Sequence, residues 1–196
     1  MHCKSLALHE SLDFFTFFIE IKILIIMKKI VIIMLACMAI SSCHITTTES
    51  KLAPGYLNAG GEKVNAYDGD PANLALVDAF IEAHNARDYE AIASMEIDST
   101  ELFGTFKIIN HEGEVFEGKE THKNTLAAWV EAENPQWNTN FAYSMKVDGQ
   151  PGEWVITGHK LTRTVNGVET SSYDILDIYI ESGKIGGFWV YSRKDN

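Results

Sequence analysis

The sequence has no cysteine beyond residue 43: its three cysteines are Cys3, Cys37 and Cys43. A disulfide framework and a cysteine zinc site are therefore excluded from the rest of the chain. Positive charge is also scarce. Lysine and arginine number 16 against 27 acids, a formal net charge of −11, which argues against nucleic acid or an anionic membrane surface as the main partner. There is no glycine-rich phosphate loop, no G-x-S-x-G and no cysteine nucleophile beyond the N-terminal region. The histidines and acids show no short ligand spacing, so neither a metal nor a cofactor is expected. What remains is 196 residues, 46% apolar and 11% aromatic, enough for one globular domain with extensions.

The N-terminal region reads as an address. From Met27 the chain runs MKKIVIIMLACMAISSCH. Lys28 and Lys29 form a positive start, residues 30–40 an apolar core, and Ser41 and Ser42 precede Cys43. That order is a secretory signal peptide over residues 27–42. The ending Ile40-Ser41-Ser42-Cys43 resembles the lipobox of bacterial lipoproteins, which implies cleavage before Cys43, lipidation of that cysteine and a membrane-anchored protein of the bacterial cell envelope, on the periplasmic side. A membrane-spanning anchor over residues 12–40 is disfavoured by Glu20, Lys22, Lys28 and Lys29. Residues 1–26 carry Glu10, Asp13 and Glu20 where positive charge is expected, so Met27 is read as the natural start. Residues 43–69, rich in Thr, Gly and Asn without sustained periodicity, read as a flexible tether.

Residues 70–196 carry the patterned part. Asp70-Pro71 opens a helix in which Leu74, Val77, Phe80, Ile81 and His84 recur at helical spacing. Asp88 caps a short helix over 89–95. Residues 102–109 are a candidate strand. A third helix over 119–132 places Leu126, Trp129 and Val130 on one face and stops at Asn134-Pro135. Four strands follow, over 137–147, 154–165, 171–181 and 184–192, punctuated by Asp148-Gly149, Asn166-Gly167 and Ser182-Gly183. Helices first and a long meander last predict an α+β domain.

Three stretches carry a family resemblance: FIEAHNARDYEAIASM (80–95), FEGKETHKNTLAAWVEA (116–132) and DILDIYIESGKIGGFWVY (174–191). Their order and spacing resemble the nuclear transport factor 2-like, or cystatin-like cone, superfamily, which includes the SnoaL-like polyketide cyclases and the ketosteroid isomerases. The resemblance covers residues 71–193. It implies a curved antiparallel sheet wrapped around the first helix, a pocket at the wide end of the cone, and an outer sheet face that often packs a second copy, giving a homodimer.

Two arguments compete over the strand at 171–181. Apolarity favours Leu176, Ile178 and Ile180 as the core face, whereas the ketosteroid isomerase resemblance turns Ile175, Asp177 and Tyr179 inward. Followed here, the resemblance also turns His159, Leu161, Phe188 and Val190 inward, beside Val77, Phe80 and His84 of the first helix. The implied catalytic set is Asp177, His159 and His84. A carboxylic acid in an apolar pocket stays protonated and can donate to a developing oxyanion, an effect for which ketosteroid isomerase is itself the standard example. A neutral histidine can move a proton near pH 7. The departures are Phe80 in place of the oxyanion-hole tyrosine, Gly104 near the place of the base, and Val130 in place of a supporting tyrosine. Other roles stay open. His84 near a helix C-terminus also suits capping, and His159 is as readily exposed as inward. His111 and His122 read as surface, Asp174 as solvent-facing at a strand start, and the four tryptophans as core or dimer surface. The leading expectation is a lipoprotein whose pocket binds a small apolar or carbonyl-bearing molecule. The alternative is a SnoaL-like cyclase, isomerase or dehydratase.

Overall fold

A computed structural model of the chain describes residues 52–195, together with Lys28. The expectations for the upstream start, the signal peptide and lipidation at Cys43 fall, Lys28 apart, outside the described residues. The elements in order are β1 (Gly55–Ala59), β2 (Glu62–Asp68), α1 (Ala72–Ala86), α2 (Tyr89–Met95), β3 (Ser99–Thr100), β4 (Gly104–Thr105), β5 (Lys107–Ile109), β6 (Val115–Glu117), α3 (Lys119–Glu133), β7 (Gln136–Val147), β8 (Glu153–Val165), β9 (Val168–Glu181) and β10 (Lys184–Lys194). Among the described residues no helix is long and apolar enough to cross a membrane.

Eight strands form one curved sheet in the order β1-β2-β7-β8-β9-β10-β5-β6, and β3 pairs with β4. The pairing is antiparallel except for the parallel β10–β5 contact. The α+β class and the curved sheet are as the sequence predicts. The stretch read as tether is not unstructured throughout: residues 55–68 make a hairpin whose β2 pairs Ala66–Asp68 with β7. Gly60 and Gly61 turn it with positive φ, 62° and 92°, a conformation glycine adopts without steric cost.

Helix α1 packs on the concave face with Val77, Phe80, Ile81 and His84 buried. These are the i, i+3, i+4 and i+7 positions of one stripe, and burying each large apolar side chain contributes about 1.5–3 kcal/mol. Asp88 accepts the Ala91 amide at 2.9 Å and caps α2 as its position suggests; α1 instead has Pro71 at its N-cap with no side-chain cap, and Asp70 accepts the Ala72 amide at 2.8 Å in the turn before it. Arg87 closes α1 in the left-handed region and donates through Nη1 to the His84 carbonyl, which satisfies one of the orphan carbonyls of a helix end. The strand expected over 102–109 is broken. Gly104 has φ 70°, and only residues 107–109 join the main sheet, against β10. That join needs Gly187, where an added Cβ would lie 2.4 Å from the Lys107 carbonyl oxygen.

Candidate functional site

The face of β9 decides which residues can form a site. Ser172, Asp174, Leu176, Ile178 and Ile180 are all buried, while Ile175 is 43% exposed. The even-numbered residues face α1 and the odd-numbered ones face away. The apolar alternation was therefore the correct guide and the face implied by ketosteroid isomerase was not. Asp177 stands on the outer face, opposite Trp189 and Ile156 in the neighbouring strands, within hydrogen-bonding reach of the Tyr191 hydroxyl. Partial burial raises its carboxyl pKa, but it does not line the main cavity. Ile175 is outside too. Tyr179 is buried on that outer side because Phe103 folds over it edge-to-face, beside Trp154 and Trp189.

The concave side holds a cavity of about 400 Å³. Its walls include Phe80, Ile108, Leu126, Trp129, Trp137 and Phe188. Leu161 and Val190 line it as expected; Val77 is buried in the core without lining it. Trp137 meets Trp129 and His84 edge-to-face. Two of the four tryptophans are thus cavity walls. The polar lining includes His84, His122, Arg163, Ser172, Asp174 and Ser192. Asp174 is central in β9, because the strand starts at Val168 and not at 171, and its inward carboxylate accepts from Ser172 (3.1 Å) and Ser192 (2.6 Å). Arg163 donates to Glu133 at 3.2 Å, and its Nε is buried without a hydrogen-bond partner.

The three expected catalytic residues do not meet. His84 lines the cavity, Asp177 is across the sheet, and His159 points inward without lining the cavity. His159 is 1% exposed, its Nδ1 is 3.2 Å from the Thr139 hydroxyl, and its Nε2 is buried with no partner. Burial lowers its pKa to about 4, against the opposing pull of Asp174 and Asp78.

His84 instead begins a hydrogen-bonded row with His122, expected at the surface, and through it with Glu96. Its Nδ1 is 2.7 Å from the Phe80 carbonyl, and its Nε2 is 3.4 Å from Nε2 of His122. His122 Nδ1 is in turn 2.5 Å from Oε1 of Glu96. All three side chains are buried. His122 is not a surface residue: it stacks on Phe106 and meets Phe188 edge-to-face. It lies four residues before Leu126, so the helical stripe 122-126-129-130 already contained the signal for it. Glu96 follows α2 in extended conformation and is held by a bridge to Ile185. Nothing in the local sequence marks it as buried. Burial, followed by the His122 charge, lowers the His84 pKa to about 3. Among the described residues no group of three or more His, Cys, Asp or Glu is arranged to hold a metal. What the arrangement supplies is one buried carboxylate and two imidazoles in a row, ending in an apolar cavity: a place to hold a proton and to offer or receive it.

No protein-family model matches the chain, and no curated protein matches it. Solved structures do. A protein described as a SnoaL-like polyketide cyclase, from Jannaschia sp. CCS1, superposes with a TM-score of 0.50 at 16% identity, over 64% of this chain and 90% of its own. An LEH-like epoxide hydrolase from M. tuberculosis gives 0.51 at 13% identity, over 62% and 83%. Bal32a, from a soil-derived mobile gene cassette, gives 0.51 at 10% identity, over 62% and 88%. At these identities the likeness is one of fold: the chain shares with these proteins an α+β fold with a large curved sheet and three helices.

Proposed function

We propose that this domain is a receptor for a small, mostly apolar molecule, held in the cone cavity and carried by a membrane-anchored lipoprotein on the periplasmic side of a bacterial membrane. The observation that carries the receptor reading is the cavity of about 400 Å³, walled by Phe80, Leu126, Trp129, Trp137 and Phe188 with a few buried polar groups. Apolar walls with sparse, convergent polar groups are the usual form of a ligand site, and this volume lies at its small end. The anchor rests on the order Lys28-Lys29, apolar run, Ser41-Ser42-Cys43. Mass spectrometry of the full-length chain purified from membranes tests both parts. A diacylglyceryl mass on Cys43 is expected, absent from Cys43→Ser; a label that survives that substitution refutes the anchor. A non-covalent small-molecule adduct is expected on the wild type and not on Leu126→Trp, which fills the cavity. Equal adduct on both proteins, or on neither, overturns the receptor reading.

The hydrogen-bonded row Glu96–His122–His84 favours a second reading, an enzyme that transfers a proton within the same cavity. In it His122 and His84 act as the acid–base pair and Glu96 holds the charge. The eluted molecule, returned to wild type and to His122→Gln, should change its NMR spectrum only with wild type. An unchanged spectrum with both would leave the receptor reading alone.

A further inference from the structure

The proton count of the histidine pair says what the cavity recognises. His84 Nδ1 lies 2.7 Å from the Phe80 carbonyl. A carbonyl oxygen only accepts, so Nδ1 carries the proton and Nε2 of the neutral ring is a bare lone pair. His122 Nε2 lies 3.4 Å from that lone pair. Two lone pairs cannot bond to each other, so the proton between them belongs to His122. Its other nitrogen lies against the Glu96 carboxyl. A proton lies between Nδ1 and the carboxyl at 2.5 Å, and Nε2 keeps its own hydrogen. Glu96, 4% exposed, is the buried partner that occupies Nδ1 of His122 and so leaves Nε2 as the donor. The lowered pKa of His84 agrees with its place as the neutral, accepting member.

Both rings line the cavity, and the bond between them is longer than the usual 2.7–3.2 Å. We infer that His122 and His84 form a fixed donor–acceptor pair that selects ligands offering an acceptor and a donor side by side: a hydroxyl, an enol or an undissociated carboxylic acid. This rests on the reading that the cavity binds a small molecule. A hydroxyl oxygen accepts from His122 and donates to His84. An ether or ketone takes the His122 proton and leaves the His84 lone pair buried and unpaired, and such an orphan costs enough to weaken binding by about ten-fold or more. The carbonyl-bearing ligand expected from the family resemblance is narrowed accordingly.

Three aromatic probes of matched shape test this: 2-naphthol, 2-methoxynaphthalene and 2-ethylnaphthalene, titrated calorimetrically into the full-length chain. The hydroxyl probe should bind at least about ten-fold more tightly than the ether, and the ether no better than about two-fold over the hydrocarbon. In His84→Phe, which keeps a ring against Trp137, the preference for 2-naphthol over the ether should fall to about two-fold or less while both still bind. Equal binding of the three probes to wild type, or a preference that survives His84→Phe, overturns the donor–acceptor pair and leaves the cavity reading standing. Binding of none of them overturns the cavity reading itself, and this inference with it. The wild-type ranking decides even where the variant does not fold.

Discussion

Replacing Glu96 by alanine is expected to lower the stability of the domain by about 3–5 kcal/mol, the usual cost of stripping one partner from a buried ion pair. The pair is well placed to show the full effect. Glu96 is 4% and His122 5% exposed, and their contact is 2.5 Å. His122 is ringed by Phe80, Phe106, Phe188 and His84, so the side chains around it offer Nδ1 no second carboxylate. Nδ1 of His122 is then left buried without its partner. The double variant Glu96→Leu/His122→Phe should recover most of the loss, since an apolar pair of similar volume needs no desolvation. Denaturant unfolding of the full-length single and double variants checks both statements. A single-variant loss below about 1 kcal/mol, the level of an exposed pair, would mean that Glu96 is not holding a buried charge.

This pair also marks where the sequence stops being informative. The helices were legible because their stripes and caps are local: Val77-Phe80-Ile81-His84 is one face, and Asp88 caps at the position its spacing suggests. The four long strands were legible because glycine turns bound them. The hairpin at residues 55–68 was not, because its strands are short, polar and mostly exposed, and only three of its residues pair with β7. The site failed differently. Asp177 and Asp174 are three residues apart on one strand, so which of them faces the cavity follows from face alone, and a wrong face exchanges them. The run Leu176, Ile178, Ile180 held the right answer and an analogy overruled it. Glu96 and His122 are 26 residues apart and meet only because Glu96 is bridged to Ile185 after α2 while His122 of α3 stacks on Phe106. A contact of that kind has no local signature.

Acidification from pH 7.5 to pH 5 is expected to destabilise the domain by about 4 kcal/mol, a large part of the 5–15 kcal/mol typical of a folded domain. Two buried histidines are the cause. His84 has its pKa lowered to about 3 by burial and the neighbouring His122 charge, and His159 to about 4 by burial. Both folded-state values lie below the ordinary histidine value near 6.5, so the unfolded chain binds more protons than the native one between those limits. The stability they contribute is complete above pH 6.5 and is lost as the pH falls toward 4 for His159 and 3 for His84. At pH 5 each has moved about 1.5 units below the unfolded value, worth about 2 kcal/mol apiece. Asp177, whose pKa is raised, acts in the opposite sense, but only nearer the ordinary carboxylate range. Neither histidine can accept a second proton cheaply. A charged His84 would sit against His122 in an apolar setting, and Nε2 of His159 is buried with no hydrogen-bond partner to support a charged ring. Denaturation midpoints of the full-length chain at pH 7.5, 6 and 5 should therefore fall steadily. His84→Phe should remove about half of the fall, because a phenyl ring leaves nothing at that position to titrate. A pH dependence that is the same in His84→Phe as in wild type would place the acid-sensitive groups elsewhere.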